Sequence, residues 1–160
     1  MVERELKDLC HADKSVIFDM DGTLADVEHR RHFVDGSTGK KKDFDAFYAA
    51  MHLDTKNQPV CDLCNILAPH YNIIICTGRP EAYRKITEQW LNKNGIFYDY
   101  LMMRPDTERH EADWRVKQDM FNAIVDAGLY VYMAIDDRDQ VVRMWRRNGV
   151  TCLQVAEGNF

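Results

Sequence analysis

The chain has 160 residues, a formal net charge of −5, 46% hydrophobic residues and 29% charged residues. This length suits a domain with a substantial buried core. The negative charge argues against a protein that coats nucleic acid through a global basic field. No apolar stretch approaches the roughly 20 residues that cross a bilayer, and residues 1–13 are too charged for a secretory signal, so we expect a cytoplasmic protein with no membrane partner.

Short apolar runs, rich in β-branched and aromatic residues, predict the strands of a sheet. After a polar lead-in, they lie at about 15–19, 72–76, 100–103, 130–135 and 151–155. Amphipathic patterns predict helices between them, beginning near 43, 59, 80, 113 and 141. The alternation predicts a single α/β domain over residues 1–160. Its central parallel sheet should have about five strands, with helices on both faces.

A polar segment interrupts this alternation after the first strand. Residues 28–42 are highly charged and contain two glycines that break helices, so a small cap insert is expected at about 27–57. Within it, Gly36-Ser37-Thr38-Gly39-Lys40 resembles a phosphate-binding loop only superficially. Val34 stands where that loop needs its first glycine, and Lys41 stands where it needs Ser or Thr.

The cysteines predict packing rather than metal or redox chemistry. They number five, an odd count without a dense disulfide framework. Cys61 and Cys64 have the C-x-x-C spacing of some zinc and redox sites, but no second pair or histidine cluster follows. Both also fit an apolar helical pattern with Val60, Leu63 and Leu67, so we interpret them as reduced core residues.

Acidic and polar residues follow three of the predicted strands. Asp19 and Asp21 end the first apolar run, and Gly22 lets the chain turn away. An Asp-Gly turn alone is common, but Thr77-Gly78-Arg79 ends the second run and Asp136-Asp137 ends the fourth. Because parallel strands bring their carboxyl ends to one edge, these residues should converge there.

Converging carboxylates predict a cation and phosphoryl chemistry. An all-oxygen ligand set selects a hard cation, and Mg²⁺ beside a phosphate is the usual partner. An aspartate could then act as a nucleophile, because an aspartyl-phosphate divides one hydrolysis into two easier displacements. Lys117, Arg30 and Arg79 are candidates for offsetting the charge on the phosphoryl oxygens.

Four segments resemble, in the expected order, the motifs of the haloacid dehalogenase superfamily. They are Asp19-Met20-Asp21-Gly22-Thr23-Leu24, Thr77-Gly78-Arg79, Lys117 and Asp136-Asp137. Within that superfamily, residues 134–147, with Gly149 and Gln154-Val155, look like the end of the phosphatase domain of phage polynucleotide kinases. The closer resemblance extends from Val16 through nearly the whole chain and is weakest at 31–56. It places Arg30 and Asp113 where that domain uses functional residues.

The resemblance implies catalytic and metal-binding roles. Asp19 would be the nucleophile, and Asp21 the general acid that protonates the leaving alkoxide and later activates water. Mg²⁺ would be held by Asp19, the backbone carbonyl of Asp21, Asp136 and Asp137.

Substrate-binding roles are implied in the same way. Thr77 and Gly78 would lie against the phosphoryl group, and Lys117 would neutralise it. Asp113 would hold that lysine from one helical turn away. Arg30 and Arg79 would clamp the phosphate with planar donor forks.

These roles favour a Mg²⁺-dependent polynucleotide 3′-phosphatase, acting on nucleic-acid ends or nucleoside 3′-monophosphates. A phosphatase for small metabolites or 5′-nucleotides is the alternative. A catalytically silent nucleic-acid-binding module is disfavoured because Asp19 and Asp21 are both present. No kinase domain is expected in this chain. Arg143, Arg146 and Arg147 could form a ridge for a nucleic-acid strand, although a solvated helix face is the favoured interpretation.

Overall fold

The structure, a computed structural model, describes residues 5–9 and 12–160. Its strands are β1 (Lys14–Phe18), β2 (Ala25–Asp26), β3 (Thr55–Lys56), β4 (Asn72–Pro80), β5 (Tyr100–Arg104), β6 (Tyr130–Asp136) and β7 (Thr151–Gln154). Its α-helices are α1 (Glu28–Arg31), α2 (Phe44–Ala49), α3 (Gln58–Leu67), α4 (Arg84–Lys93), α5 (Asp113–Asp126) and α6 (Asp139–Arg147). The polar lead-in lies partly outside the described residues, and its described part has a short 3₁₀ turn at Leu6–Asp8.

Five parallel strands form the central sheet, in the order β5-β4-β1-β6-β7. The predicted α/β fold is therefore confirmed. β1 lies at the centre, so the residues that follow β1, β4 and β6 share one edge. Along the described residues, no helix is long and apolar enough to span a membrane.

The central strand divides the core between the two faces of the sheet. Val16 and Phe18 pack into a cluster with residues of α3 and α4. Ile17 points to the other face and packs with residues of α5 and α6. This alternation follows from the two-residue period of a strand, and both faces are apolar because helices cover both.

The insert is bracketed by a second, two-stranded sheet that the sequence did not predict. β2 pairs antiparallel with β3, joining Ala25 to Lys56 and Asp26 to Thr55. Between them lie α1, α2 and a 3₁₀ turn at Ala50–Leu53. Asp43 caps α2 by accepting a hydrogen bond from the backbone amide of Ala46 at 2.9 Å.

The predicted boundary between the second strand of the central sheet and the helix that follows it was wrong. β4 runs past Cys76 to Pro80, with a register shift against β5 between Thr77 and Pro80. A 3₁₀ turn, Glu81–Tyr83, then precedes α4, so Pro80 ends a strand instead of opening a helix. The physical reason is that Arg104 of β5 donates from Nε to the Gly78 carbonyl at 2.8 Å, so a side chain helps to keep this irregular stretch beside β5.

Among the described residues, four cysteines are free and buried: Cys61, Cys64, Cys76 and Cys152. Cys61 and Cys64 lie in the apolar cluster under α3. Burial raises the pKa of the Cys61 thiol to about 11 and that of Cys64 to about 12. Both thiols therefore stay protonated at neutral pH, as core packing requires.

Candidate active site

Three buried carboxylates meet at the carboxyl edge of the sheet. Asp19 follows β1, Asp136 ends β6, and Asp137 comes directly after it. One carboxylate oxygen from each lies within 4.8 Å of the others. The parallel topology thus brings together residues that are more than a hundred positions apart in the sequence.

Lys117, on α5, inserts its ammonium group between two of these acids. Its Nζ donates to Asp19 Oδ1 at 2.6 Å and to Asp136 Oδ2 at 2.9 Å. Although burial opposes the charged form, the neighbouring aspartates raise the pKa of Lys117 well above its ordinary value. A permanent positive charge therefore lies next to the proposed nucleophile.

One lysine does not balance three buried acids. Burial raises the pKa of Asp19 well above its ordinary range despite Lys117, and burial with Asp136 nearby raises that of Asp137 to about 7. Asp137 Oδ2 is buried and has no hydrogen-bond partner among the described residues. This excess of negative charge and an unused carboxylate oxygen fit a hard divalent cation such as Mg²⁺.

Asp136 is held more tightly than Asp137. Its Oδ1 accepts from the backbone amides of Asp137 and Arg138 at 3.0 and 3.3 Å. Its Oδ2 accepts from Lys117 and, at 3.3 Å, from Trp145 Nε1. Trp145 is fully buried on α6, and its ring nitrogen helps to orient this site residue.

Asp21 lies in a different environment from Asp19, although only one residue separates them. Its Oδ1 accepts from Arg30 Nη2 at 2.7 Å and from Arg79 Nε at 3.0 Å. Burial opposes ionisation, but the two guanidinium groups prevail and lower the pKa of Asp21 to about 2. The structure therefore puts Arg30 and Arg79 beside Asp21, the residue predicted to act first as general acid and then as general base. The Asp21 carboxylate does not belong to the group formed by Asp19, Asp136 and Asp137.

Asp54 is a site residue that sequence reasoning missed. Its fully buried carboxylate accepts from Arg30 Nε and Nη2, both at 2.6 Å, and from Arg79 Nη2 at 3.0 Å. His29 Nε2 also lies 2.8 Å from its Oδ1. Asp54 lies in the insert just before β3, and no motif marks it, because its importance arises only when the insert folds back over β4.

Asp113 has a different main partner from the one predicted. Its Oδ2 is 3.9 Å from Lys117 Nζ, which is too long for a hydrogen bond, while its Oδ1 accepts from Arg104 Nη2 at 3.2 Å. A Cβ atom on Gly78 would come within 2.3 Å of Asp113 Oδ1. Gly78 is therefore required for close approach of α5 to β4. Arg104, which the sequence did not single out, links the two elements.

Thr77 is buried at the same edge, where its Oγ1 accepts from the backbone amide of Arg79 at 3.2 Å. The hydroxyl keeps a proton that it can donate. Thr77 and Gly78 therefore lie together at the carboxyl end of β4.

The last residues of the chain pack against the loop that carries Asp137. A Cβ atom on Gly158 would come within 1.9 Å of the Asp137 carbonyl oxygen. The Gly158 carbonyl accepts from the Asp139 amide at 3.0 Å, and Arg138 Nε donates to the Phe160 carbonyl at 2.9 Å. This segment fixes one side of the acid cluster, and no sequence pattern indicated it.

Arg143, Arg146 and Arg147 are exposed on α6. Arg146 Nη2 donates to the carbonyl of Cys152 at 3.1 Å. They are thus on the solvent side of the helix, as the favoured interpretation expected, and remain separate from the acid cluster.

The family described as the polynucleotide kinase PNKP phosphatase domain matches residues 13–160. The chain belongs to this family. It is a phosphatase of the haloacid dehalogenase superfamily, and the resemblance found in the sequence is confirmed.

Solved structures agree with this assignment. The chain is 34% identical to a chain of the Pnkp1/Rnl/Hen1 complex, with a TM-score of 0.75, covering 92% of this chain and 47% of that one. A second structure, described as the Pnkp1/Rnl/Hen1 RNA repair complex, matches at 33% identity and TM-score 0.75, covering 92% and 44%. The chain therefore spans about half the length of these relatives.

A more distant structure shares the fold. A HAD-family enzyme from Bacteroides thetaiotaomicron, solved with magnesium and inorganic phosphate, is 14% identical with a TM-score of 0.58, covering 92% of this chain and 96% of that one. At this identity the likeness concerns the fold alone.

Proposed function

We propose that this phosphatase removes 3′-phosphates from nucleic-acid ends or nucleoside 3′-monophosphates, with Mg²⁺ and an aspartyl-phosphate at Asp19. The observation that carries the proposal is the different surroundings of Asp19 and Asp21. Asp19 lies among acids and one lysine, whereas Asp21 lies between two arginines. Two neighbouring carboxylates in unlike environments suit two different roles.

Asp19, Asp136 and Asp137 would hold the Mg²⁺. When bound, the ion supplies positive charge that keeps the acids ionised and offsets the charge of the phosphoryl group. The unpartnered Oδ2 of Asp137 is the atom that most needs such a partner.

In the first step, a carboxylate oxygen of Asp19 attacks phosphorus and the bond from phosphorus to the leaving oxygen breaks. The Lys117 ammonium holds Asp19 in place and adds positive charge beside the reacting group. The leaving oxygen takes a proton from the Asp21 carboxyl group, and the products are an aspartyl-phosphate and a free hydroxyl.

Asp21 must be protonated for this step, and its pKa of about 2 works against it while Arg30 and Arg79 hold it. An incoming phosphate offers those guanidinium groups a doubly charged partner. Sharing their donors with the phosphate weakens their hold on Asp21 and raises its pKa. Substrate binding thereby prepares the general acid.

In the second step, Asp21, now ionised, accepts a proton from water while the water oxygen attacks phosphorus. The bond between phosphorus and Asp19 breaks, which releases inorganic phosphate and restores the carboxylate. Thr77 and the Gly78 backbone line the same edge and are suited to orient the phosphoryl oxygens.

The substrate class is supported by the family and by the relatives in an RNA repair complex. Nucleic-acid ends are also consistent with the small insert, which contains two short helices and a two-stranded sheet. We infer that an insert of this size leaves the site accessible to the end of a polymer.

The test is a substrate panel with the purified protein. A 3′-phosphorylated oligonucleotide should be hydrolysed with a higher kcat/KM than its 5′-phosphorylated counterpart, a nucleoside 5′-monophosphate or a sugar phosphate. Exhaustive chelation should abolish turnover and Mg²⁺ should restore it. A preference for 5′-nucleotides or sugar phosphates would show that the substrate class is wrong, and undiminished turnover without metal would exclude the metal role.

A further inference from the structure

Three aromatic rings line up beside the candidate active site. The rings of Phe44 and Tyr48, on α2, are stacked with centroids 6.3 Å apart, and the Tyr48 and Tyr83 centroids are 5.0 Å apart. We call Phe44, Tyr48 and Tyr83 the aromatic row. Phe44 forms its outer end and is 50% exposed, whereas Tyr48 and Tyr83 are half-buried.

The aromatic row is connected to the site through Arg30. The Arg30 guanidinium lies 4.1 Å from the centre of the Phe47 ring, and its Nη1 donates to the Phe47 carbonyl at 3.3 Å. The Phe47 ring in turn lies 5.4 Å from the Tyr48 ring. The same arginine donates to Asp21 at 2.7 Å, so Arg30 links α2 to the catalytic edge.

The other end of the aromatic row is fixed by the body of the domain. Tyr83 belongs to the 3₁₀ turn Glu81–Tyr83, which follows Arg79 and Pro80 at the end of β4. The row thus spans the gap between the insert and the main sheet. Burial and the nearby Asp21 raise the pKa of Tyr48 to about 12, so its hydroxyl keeps its proton at neutral pH.

Positively charged residues precede the exposed end of the row in the sequence. Lys40, Lys41 and Lys42 precede α2 and are exposed. In the described part of the chain, none of their ammonium groups forms an ion pair within 4.0 Å. A polyanion whose end lies in the active site would meet this charge where it leaves the row.

We propose that the aromatic row is a stacking surface for the last nucleobases of a single-stranded nucleic-acid end whose 3′-phosphate lies in the active site. The inference rests on the proposed function and adds how the enzyme holds the strand. Every base has a flat π face, so stacking would give affinity without a sequence preference. A simple role in attaching the insert does not require the outermost ring to be half exposed.

The test is a double-mutant cycle between the protein and the substrate. Phe44→Leu keeps an apolar side chain but removes the ring. The matched substrate change is an abasic residue, placed in turn at each of the last two nucleotides. The measured quantity is kcat/KM for the oligonucleotide divided by kcat/KM for acetyl phosphate, which has no ring to stack.

Each single change should lower this ratio about tenfold, in line with the stacking of one base. Phe44→Leu and the abasic residue should then be combined. At one or both nucleotide positions, the combination should lower the ratio about tenfold rather than a hundredfold, because both changes remove the same contact. Phe44→Trp should retain the ratio. Phe97→Leu is the control, since Phe97 is 65% exposed beyond α4 and outside the row.

The stacking proposal would be wrong if Phe44→Leu left the ratio unchanged, or if the losses from the two changes multiplied at both nucleotide positions. Neither result would contradict the proposed 3′-phosphatase activity. Failure of the proposed function would look different. The unmodified enzyme would then hydrolyse acetyl phosphate but no 3′-phosphorylated oligonucleotide, and both conclusions would be overturned.

Discussion

Arg30 and Asp54 form a two-point ion pair in the interior, with Arg30 Nε and Nη2 each 2.6 Å from a carboxylate oxygen of Asp54. Both side chains are fully buried. Arg30 Nη2 also donates to Asp21, so the insert and the catalytic edge share one cation. The orientation of the arginines at the site therefore depends on an acid that touches none of the proposed reacting atoms.

Asp54→Asn should destabilise the protein and lower its activity. The amide keeps the shape but removes the negative charge shared by two buried guanidinium groups, and breaking a buried pair of this kind costs about 3 kcal/mol. Urea unfolding should show the lower stability, and kcat should fall in samples that remain folded. Asp45→Asn is the control, because Asp45 is exposed on α2 of the same insert. Equal stability of the two variants would contradict the positioning role of Asp54.

Arg30→Lys should lose most of its activity although it keeps the charge. An ammonium group cannot reproduce the fork that reaches Asp21 and Asp54 together. Loss of one donor to a reacting phosphoryl group lowers kcat by roughly a hundredfold, whereas loss of ordinary ground-state binding raises KM. Steady-state kinetics on a 3′-phosphorylated oligonucleotide and an aryl phosphate should show a shared fall in kcat. A defect confined to the oligonucleotide would instead place Arg30 in strand binding.

Acid should remove the part of the protein's stability that depends on the ionised Asp21 carboxylate. Because Arg79 and Arg30 lower the pKa of Asp21 from 3.8 to about 2, its ionised form stabilises the folded state. That contribution, about 2 kcal/mol, is fully present above pH 4 and is lost as the pH falls towards 2. The difference in unfolding free energy between wild type and Asp21→Asn should shrink over this range. A difference independent of pH would show that the arginines do not control Asp21.

Gly158→Ala should weaken the response to Mg²⁺. The new Cβ would come within 1.9 Å of the Asp137 carbonyl, which is backbone and can yield only if the loop moves. We expect the Mg²⁺ concentration for half-maximal activity to rise about tenfold, in line with changes near other metal ligands. Glu157→Ala, at the exposed neighbouring position, should respond like wild type. An unchanged Mg²⁺ response in Gly158→Ala would separate the last residues from the acid cluster.

The sequence predicted the sheet because apolar runs such as residues 16–18 are explicit strand signals, and the topology then placed Asp19, Asp136 and Asp137 together. It also predicted Lys117, which lies on the face of α5 that packs towards β4 and β6. These residues depend on regular elements, whose periods can be read locally.

The parts that the sequence did not predict depend on irregular segments. Asp54 gains its partners only because a short β2–β3 pairing folds the insert back, and two-residue strands leave no periodic signal. Arg104 donates to the Gly78 carbonyl, where the register of β4 against β5 shifts. Gly158 packs against the backbone of Asp137, where a side chain would not fit. Such contacts arise from tertiary packing, which local patterns do not encode.

The most direct test of the proposed chemistry is to map the phosphorylated residue after rapid acid quenching of the enzyme with an oligonucleotide that carries a ³²P-labelled 3′-phosphate. We expect the label on the peptide that contains Asp19. Hydroxylamine should release this label, because the bond is an acyl phosphate. The Asp19→Asn variant should carry no label, because the amide is a far poorer nucleophile. Label on another residue, or substantial turnover by pure, folded Asp19→Asn, would contradict the assignment of Asp19 as the nucleophile.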